Sequence, residues 1–258
     1  MVRIGLLSNQ HYGQSGIFAD VNKQPGLLYF LHIPKTSGFS LTVEIEKTYP
    51  EKIVNAKSIF PVNKEPANPF TPIIPRQVIC GHFALNPFDL IEFDYSCSIV
   101  REPASRMVSL FAYHHRLSPV NLCNKKLFLD FVFGAHPKIN PVEFAGFDGQ
   151  PNSQSSYLST KIYVDENGFQ NLPESPSIKK VFESINKNNI DVFTLDNRDN
   201  FVAKLSDMFG STIPNSYHNV SPRVGFQLSK SEISEISKIN SIDQELYETV
   251  RERELCSN

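Results

Sequence analysis

The stretch Leu27-Leu28-Tyr29-Phe30-Leu31-His32-Ile33, followed by Pro34-Lys35-Thr36-Ser37-Gly38 and then Phe39 to Thr48, decides the fold. Its first seven residues are apolar nearly throughout, as in a parallel strand covered on both faces. The five that follow are turn formers, and the last ten have the pattern of a helix. Strand, tight loop and helix in this order form the first part of a βαβ unit.

A second unit repeats the order. Gln77-Val78-Ile79-Cys80 reads as a short strand turning at Gly81-His82, and Tyr95-Ser96-Cys97-Ser98-Ile99-Val100 as the next. The latter runs directly into a helix with Pro103 just inside its start and Met107, Leu110 and Phe111 at helical spacing, continuing to about Arg116. Ile190 to Thr194 reads as a late strand, Asn200 to Phe209 as a helix closed by Gly210, and Ser231 to about Glu252 as one or two terminal helices. The fold class expected is α/β, a central, mainly parallel sheet flanked by helices, in a single domain over residues 1–258. Prolines at 61, 66, 69, 72 and 75 rule out regular structure near residues 60–76, and residues 118–151 also read as irregular. Such loops shape substrate pockets or merely decorate the surface.

Composition narrows the classes of function. Lys and Arg number 25 against 27 Asp and Glu, a net charge of −2, and charged residues make up 20% of the chain. Neither a disordered tail nor a nucleic-acid-coating surface has that balance. The four cysteines, 80, 97, 123 and 256, form no Cys-x-x-Cys pair, so neither a metal framework nor disulfides are expected, and a reducing compartment is. No apolar run approaches the roughly 18 residues of a membrane span, and the N-terminus lacks a secretory pattern, which predicts a cytoplasmic protein without a membrane partner.

Two places carry charge chemistry. In the loop at 34–38, backbone N–H groups and a helix N-terminus converge where Lys35 adds a full charge, an arrangement that suits a phosphate. An ordinary βα turn has the same residues, and the Gly-x-x-x-x-Gly-Lys-Ser/Thr pattern of nucleoside triphosphatases is not met. The second strand ends in Arg101, whose planar fork matches a phosphate bidentately, with Ser109 about two helical turns further on. A strand-end salt bridge for Arg101 and a surface hydroxyl for Ser109 are the plainer readings. Arg106 follows Glu102 by four residues, the spacing of an intrahelical ion pair.

The segment from Tyr29 to Leu41, with His32-Ile33-Pro34-Lys35-Thr36-Ser37-Gly38 at its centre, resembles the 5′-phosphosulfate loop of glycan-type sulfotransferases that use PAPS (3′-phosphoadenosine 5′-phosphosulfate), which usually reads His-Ile-Pro-Lys-Thr-Gly-Gly-x-Ser-Leu. Arg101-Glu102-Pro103-Ala104-Ser105-Arg106 with Ser109 resembles their 3′-phosphate motif. Gly81-His82 stands where heparan sulfate 2-O-sulfotransferases carry a catalytic histidine. Asn152 to Leu158 resembles their substrate-side helix, His218 to Arg223 their late cofactor loop, and Asp243 to Tyr247 their terminal helix. The departures are Ser37 for a glycine, Glu102 for an aspartate, and the proline-rich region, which matches nothing.

The resemblance implies a P-loop-kinase-like fold without catalytic metal. Lys35, Thr36, Ser37, Gly38, Phe39, Ser40, Arg101, Ser109, Ser221 and Arg223 would bind the cofactor. Lys35 and His82 would be catalytic, His82 as the base, with a structural histidine as its alternative and His115 as the next candidate. The reaction implied is in-line transfer of a sulfuryl group from PAPS to a hydroxyl or amine of a small-molecule, natural-product or saccharide acceptor, leaving 3′,5′-adenosine diphosphate. A nucleotide- or glycan-binding module of the same fold that has lost catalysis is the alternative, and a magnesium-dependent nucleoside kinase a third.

Overall fold

A computed structural model describes residues 26–48, 53–55, 77–82, 85, 88, 92–134, 150–160, 163–164, 170–171, 176–216 and 221–256. The proline-rich stretch from Phe60 to Pro75 lies outside them, as do His218, Asn219 and Val220. The elements run β1 (Leu27–Leu31), α1 (Gly38–Thr48), β2 (Ile53–Asn55), β3 (Gln77–Gly81), β4 (Tyr95–Val100), α2 (Pro103–His114), α3 (Pro119–Leu122), α4 (Lys125–Val132) and α5 (Ser153–Ser159). They continue through β5 (Tyr163–Val164), β6 (Gln170–Asn171), α6 (Ile178–Lys187), β7 (Ile190–Thr194), α7 (Arg198–Phe209), α8 (Lys230–Ile239) and α9 (Ser241–Cys256).

The central sheet has the order β2-β3-β1-β4-β7, and every pairing in it is parallel. The α/β class expected from the sequence is the class observed. β1 is the middle strand, and its apolar run is explained by cover on both sides. Leu28 and Phe30 face α1 and α7, packing with Leu41, Ile45, Phe201 and Leu205, while Tyr29 and Leu31 pack with Tyr157, Val181 and Leu246 of α5, α6 and α9. β4 divides likewise, Cys97 and Ile99 to one face and Val100 to the other. β5 and β6 form a separate antiparallel pair.

The expectation of an irregular segment over 118–151 needs correction at its start. Pro119 opens α3, and the Asn124 side chain accepts from the Leu127 N–H at 3.0 Å to cap α4. Phe128 and Val132 then pack on Phe111 of α2 in a third apolar cluster with Ile236 of α8. Both helices are short, four and eight residues, and are bounded by Pro119 and Gly134, so the stretch reads as a loop. Residues 135–149 lie outside the description. The terminal helices are two, α8 beginning with a Ser229–Glu232 capping box. α7 ends at Gly210, which is left-handed at φ 66°. Among the described residues no helix is long and apolar enough to cross a membrane.

Candidate active site

In an all-parallel sheet, groups that follow the strands gather at their carboxyl edge. The register places Leu31 beside Gly81 on one side and beside Ser98 on the other. His82, the Lys35 loop and Arg101 therefore leave three adjacent strands at one edge, although they are far apart in sequence. The Ser98 hydroxyl donates to the Leu31 carbonyl at 2.8 Å and the His32 N–H to the Gly81 carbonyl at 3.0 Å, extending the pairing to the mouth of the loop.

The loop is wound tightly. Lys35 and Ser37 both have positive φ, 68° and 72°, a region that glycine enters at less cost than other residues. The glycine usual in the resembled motif at position 37 has its physical reason there. Thr36 is buried, and its hydroxyl donates to the Ile33 carbonyl at 2.8 Å, so its side chain ties the turn. Gly38 opens α1 against the His32 ring: a Cβ at 38 would lie 2.0 Å from His32 Cδ2. Ser40 is buried and Phe39 exposed, so at 39 only the main chain belongs to the cradle. The first N–H groups of α1 have no carbonyl one turn earlier within the helix, an arrangement that suits an anion.

Arg101 meets this loop. Its Nη1 donates to the Lys35 carbonyl at 3.3 Å, and its main chain is gripped from both sides by the buried Gln154 amide, which accepts from the Arg101 N–H and donates to the Arg101 carbonyl, each at 2.8 Å. Burial lowers the Arg101 guanidinium from its ordinary range, and Arg106 adds to the effect, while Glu102 and Asp196 oppose it. Lys35 Nζ lies 4.4 Å from the centre of the Tyr113 ring, and Arg116 sits 4.3 Å from the same ring. Ser109, one turn before Tyr113, is 3.2 Å from the Ser221 hydroxyl, which also donates to the Ser109 carbonyl. Lys35 is thus joined to Arg101 through its carbonyl and to α2 through Tyr113, and Ser109 meets Ser221 one turn earlier on the same helix. Arg223 is exposed two residues beyond Ser221, outside this contact network.

The Glu102–Arg106 ion pair suggested by spacing is not formed. Glu102 instead caps α2, accepting from the Ala104 and Ser105 N–H groups at 2.9 and 2.7 Å. Arg106 turns inward with 2% exposure, donating to the Pro34 carbonyl at 3.1 Å and the Ser153 hydroxyl at 2.8 Å. It braces the anion loop against α5. The α5 start is itself locked to α9. Asp243 accepts from the Gln154 and Ser155 N–H groups at 3.1 and 2.7 Å. Left-handed Asn152 accepts at its Oδ1 from the Ile242 and Asp243 N–H groups. Burial raises the Asp243 carboxyl, against the pull of those donors. The Asn-x-Gln and Asp-x-x-Leu-Tyr segments that the sequence singled out as family-like therefore meet, and Gln154 reaches Arg101.

At the other end, His82 Nδ1 lies 2.6 Å from the His32 carbonyl oxygen. A carbonyl only accepts, so Nδ1 carries the proton and Nε2 is the basic ring atom. His115 lies elsewhere: its ring packs on Phe111 at 4.5 Å, and its Nδ1 is 3.2 Å from the Asn121 amide nitrogen. Among the described residues no group of three or more His, Cys, Asp or Glu side chains is placed to hold a metal ion.

Neither a protein-family model nor a curated protein matches the chain. Among solved structures it is similar to the mouse sulfotransferase SULT7A1 complexed with PAP, with 15% identity and a TM-score of 0.35 over 85% of this chain. The chain spans 65% of that protein's length. A likeness of that degree assigns no activity.

Proposed function

We propose that the chain is a sulfotransferase that moves the sulfuryl group of PAPS to a hydroxyl or amine of a small-molecule or saccharide acceptor by in-line displacement. The observation that carries this reading is the junction of the Lys35 loop with Arg101, which puts an anion seat and a second, semi-buried cation side by side. A nucleotide with phosphates on both its 5′ and 3′ positions offers a matching pair of anions.

The residues present fit that ligand. The N–H groups of Thr36 to Ser40 would hold the 5′-phosphate, while Arg101, Ser109 and Ser221, with Arg223 beyond them, would hold the 3′-phosphate. PAPS, when bound, supplies the sulfuryl group and a phosphate leaving group. Lys35 neutralises charge growing on the departing phosphate oxygen, stabilisation preorganised where the charge develops. His82 Nε2 takes the proton that the acceptor gives up as its oxygen or nitrogen bonds to sulfur, a contribution typically on the order of a hundred- to ten-thousandfold. Free thiols at Cys80, Cys97, Cys123 and Cys256 suit a reducing compartment, which supports the cytoplasm as the site of the reaction.

Incubation of the purified chain with sulfur-labelled PAPS and a panel of hydroxyl and amine acceptors tests the proposal. Label should pass to an acceptor without added magnesium. Tight binding of 3′,5′-adenosine diphosphate with no transfer would instead mark a binding module, and ATP binding that requires magnesium would mark a kinase.

A further inference from the structure

Two imidazoles face each other at the carboxyl edge of β1 and β3. The His32 and His82 ring centres are 4.3 Å apart, with the planes tilted by 36°. The His32 ring is itself held in place. Phe30 stacks with it at 5.9 Å and 13°, and Gly38 approaches so closely that no side chain fits between. His32 thus offers His82 both a carbonyl, which accepts a hydrogen bond from Nδ1–H, and a fixed flat surface.

We propose that His32 is a positioning residue for His82: its ring, seated between Phe30 and Gly38, holds the His82 imidazole where Nδ1–H meets the His32 carbonyl and Nε2 is left as the basic atom. The inference rests on the proposed transfer reaction, in which His82 receives the acceptor's proton, and it assigns the orientation of that base to a second histidine. A base held in one tautomer and one rotamer is preorganised, whereas a freely turning imidazole spends part of its time with the wrong nitrogen presented.

The charge states are consistent with this division. Among the described residues, the titratable and charged groups that act on His32 are His82 from the end of β3 and Lys35 from the loop after β1. Burial first, then those two groups, hold His32 well below the ordinary histidine range. Cys80, two residues before His82, is pushed up by burial to about 12 and stays a neutral thiol. A proton arriving at the pair therefore does not settle on His32, which stays a neutral, flat ring beside His82.

Long-range ¹H–¹⁵N spectra of nucleotide-free protein labelled at histidine nitrogen test the arrangement directly. The wild type should show His82 as the Nδ1–H tautomer. His32→Phe, which keeps a flat ring, should retain that signature, and His32→Ala should shift His82 toward a mixture of tautomers. In turnover, His32→Ala should lower kcat at least about tenfold with the KM for PAPS unchanged, and His32→Phe should restore most of it. An Nε2–H tautomer in the wild type would overturn the proposal, whether or not the variants fold. So would loss of turnover in His32→Phe as complete as in His82→Ala, because His32 would then itself be the proton acceptor. Because the spectra need neither PAPS nor acceptor, absence of sulfuryl transfer in the wild type would refute the reaction and leave the histidine geometry to be judged on its own signals.

Discussion

The Arg101 guanidinium donates to the Lys35 main-chain carbonyl across 3.3 Å, joining residues 66 apart in sequence. The contact follows from strand order, since β1 and β4 are parallel neighbours, with Leu31 at the end of β1 paired to Ser98, two residues before β4 ends. It places one fixed cation at the foot of a loop whose next side chain, that of Lys35, is a second. Neither residue alone distinguishes an anion site from a surface turn; their junction is what the proposed function rests on.

Lys35 should matter more for turnover than for binding. In the proposed transfer the loop N–H groups remain when the side chain is cut back, whereas the charge developing on the leaving oxygen would lose its partner. Lys35→Ala is expected to lower kcat by roughly a hundred- to a thousandfold. Its Kd for 3′,5′-adenosine diphosphate should rise far less, and parallel kinetics and calorimetry would show the split.

Neighbouring substitutions in the loop should act in opposite directions. Ser37 is left-handed, a conformation that costs a residue with a Cβ about 1–2 kcal/mol, partly offset by the greater unfolded-state freedom of glycine. Ser37→Gly should therefore leave denaturant stability unchanged or raise it by up to about 1 kcal/mol. Gly38→Ala should lower it and displace the His32 ring, because the new Cβ meets His32 Cδ2 at 2.0 Å. Equal effects from the two changes would contradict the geometry.

Arg106 is a bracing residue whose loss is felt through the loop. Arg106→Leu removes the donors to the Pro34 carbonyl and the Ser153 hydroxyl within the interior. Urea unfolding should show a loss of about 2–4 kcal/mol. A change below a few tenths of a kcal/mol would show that the loop holds itself.

Acid should weaken the fold partly through His32. Its pKa in the folded protein lies well below 6.5, so below pH 6.5 the unfolded chain binds a proton that the native state does not. Stability from this group is present above pH 6.5 and falls as pH drops toward the folded pKa, by about 1.4 kcal/mol per pH unit. His32→Phe should flatten that dependence. From pH 7.5 to 5 the wild type should lose stability relative to His32→Phe; a difference between the two that stays constant with pH would deny the depressed pKa.

Much of the scaffold could be read along the chain. The apolar run of β1, the proline-led start of α2 and Gly210 after α7 each carry a local cause that needs no partner. α4 escaped because it is a single short run, Lys125–Val132, whose apolar residues crowd together without clear helical spacing, and the burial of Phe128 and Val132 depends on Phe111 of a different helix. The site divides in the same way. Lys35 and Arg101 stand out by residue type at strand ends, but strand order decides that they meet. Spacing pointed Arg106 at Glu102, yet Glu102 found two free N–H groups in its own first turn, and the guanidinium went to Pro34 and Ser153. The tie from Asp243 through the α5 start to Gln154 and on to Arg101 spans separations of 53 to 89 residues, which no local pattern reveals.

Calorimetry with 3′,5′-adenosine diphosphate and 5′-AMP, on wild type and Arg101→Ala, bears most directly on whether Lys35 and Arg101 serve one ligand. The wild type should prefer the doubly phosphorylated nucleotide by roughly ten- to a hundredfold, mostly the worth of one charge-assisted contact, and Arg101→Ala should lose nearly all of that preference. A wild type indifferent to the 3′-phosphate, or a preference that survives the loss of Arg101, would contradict it.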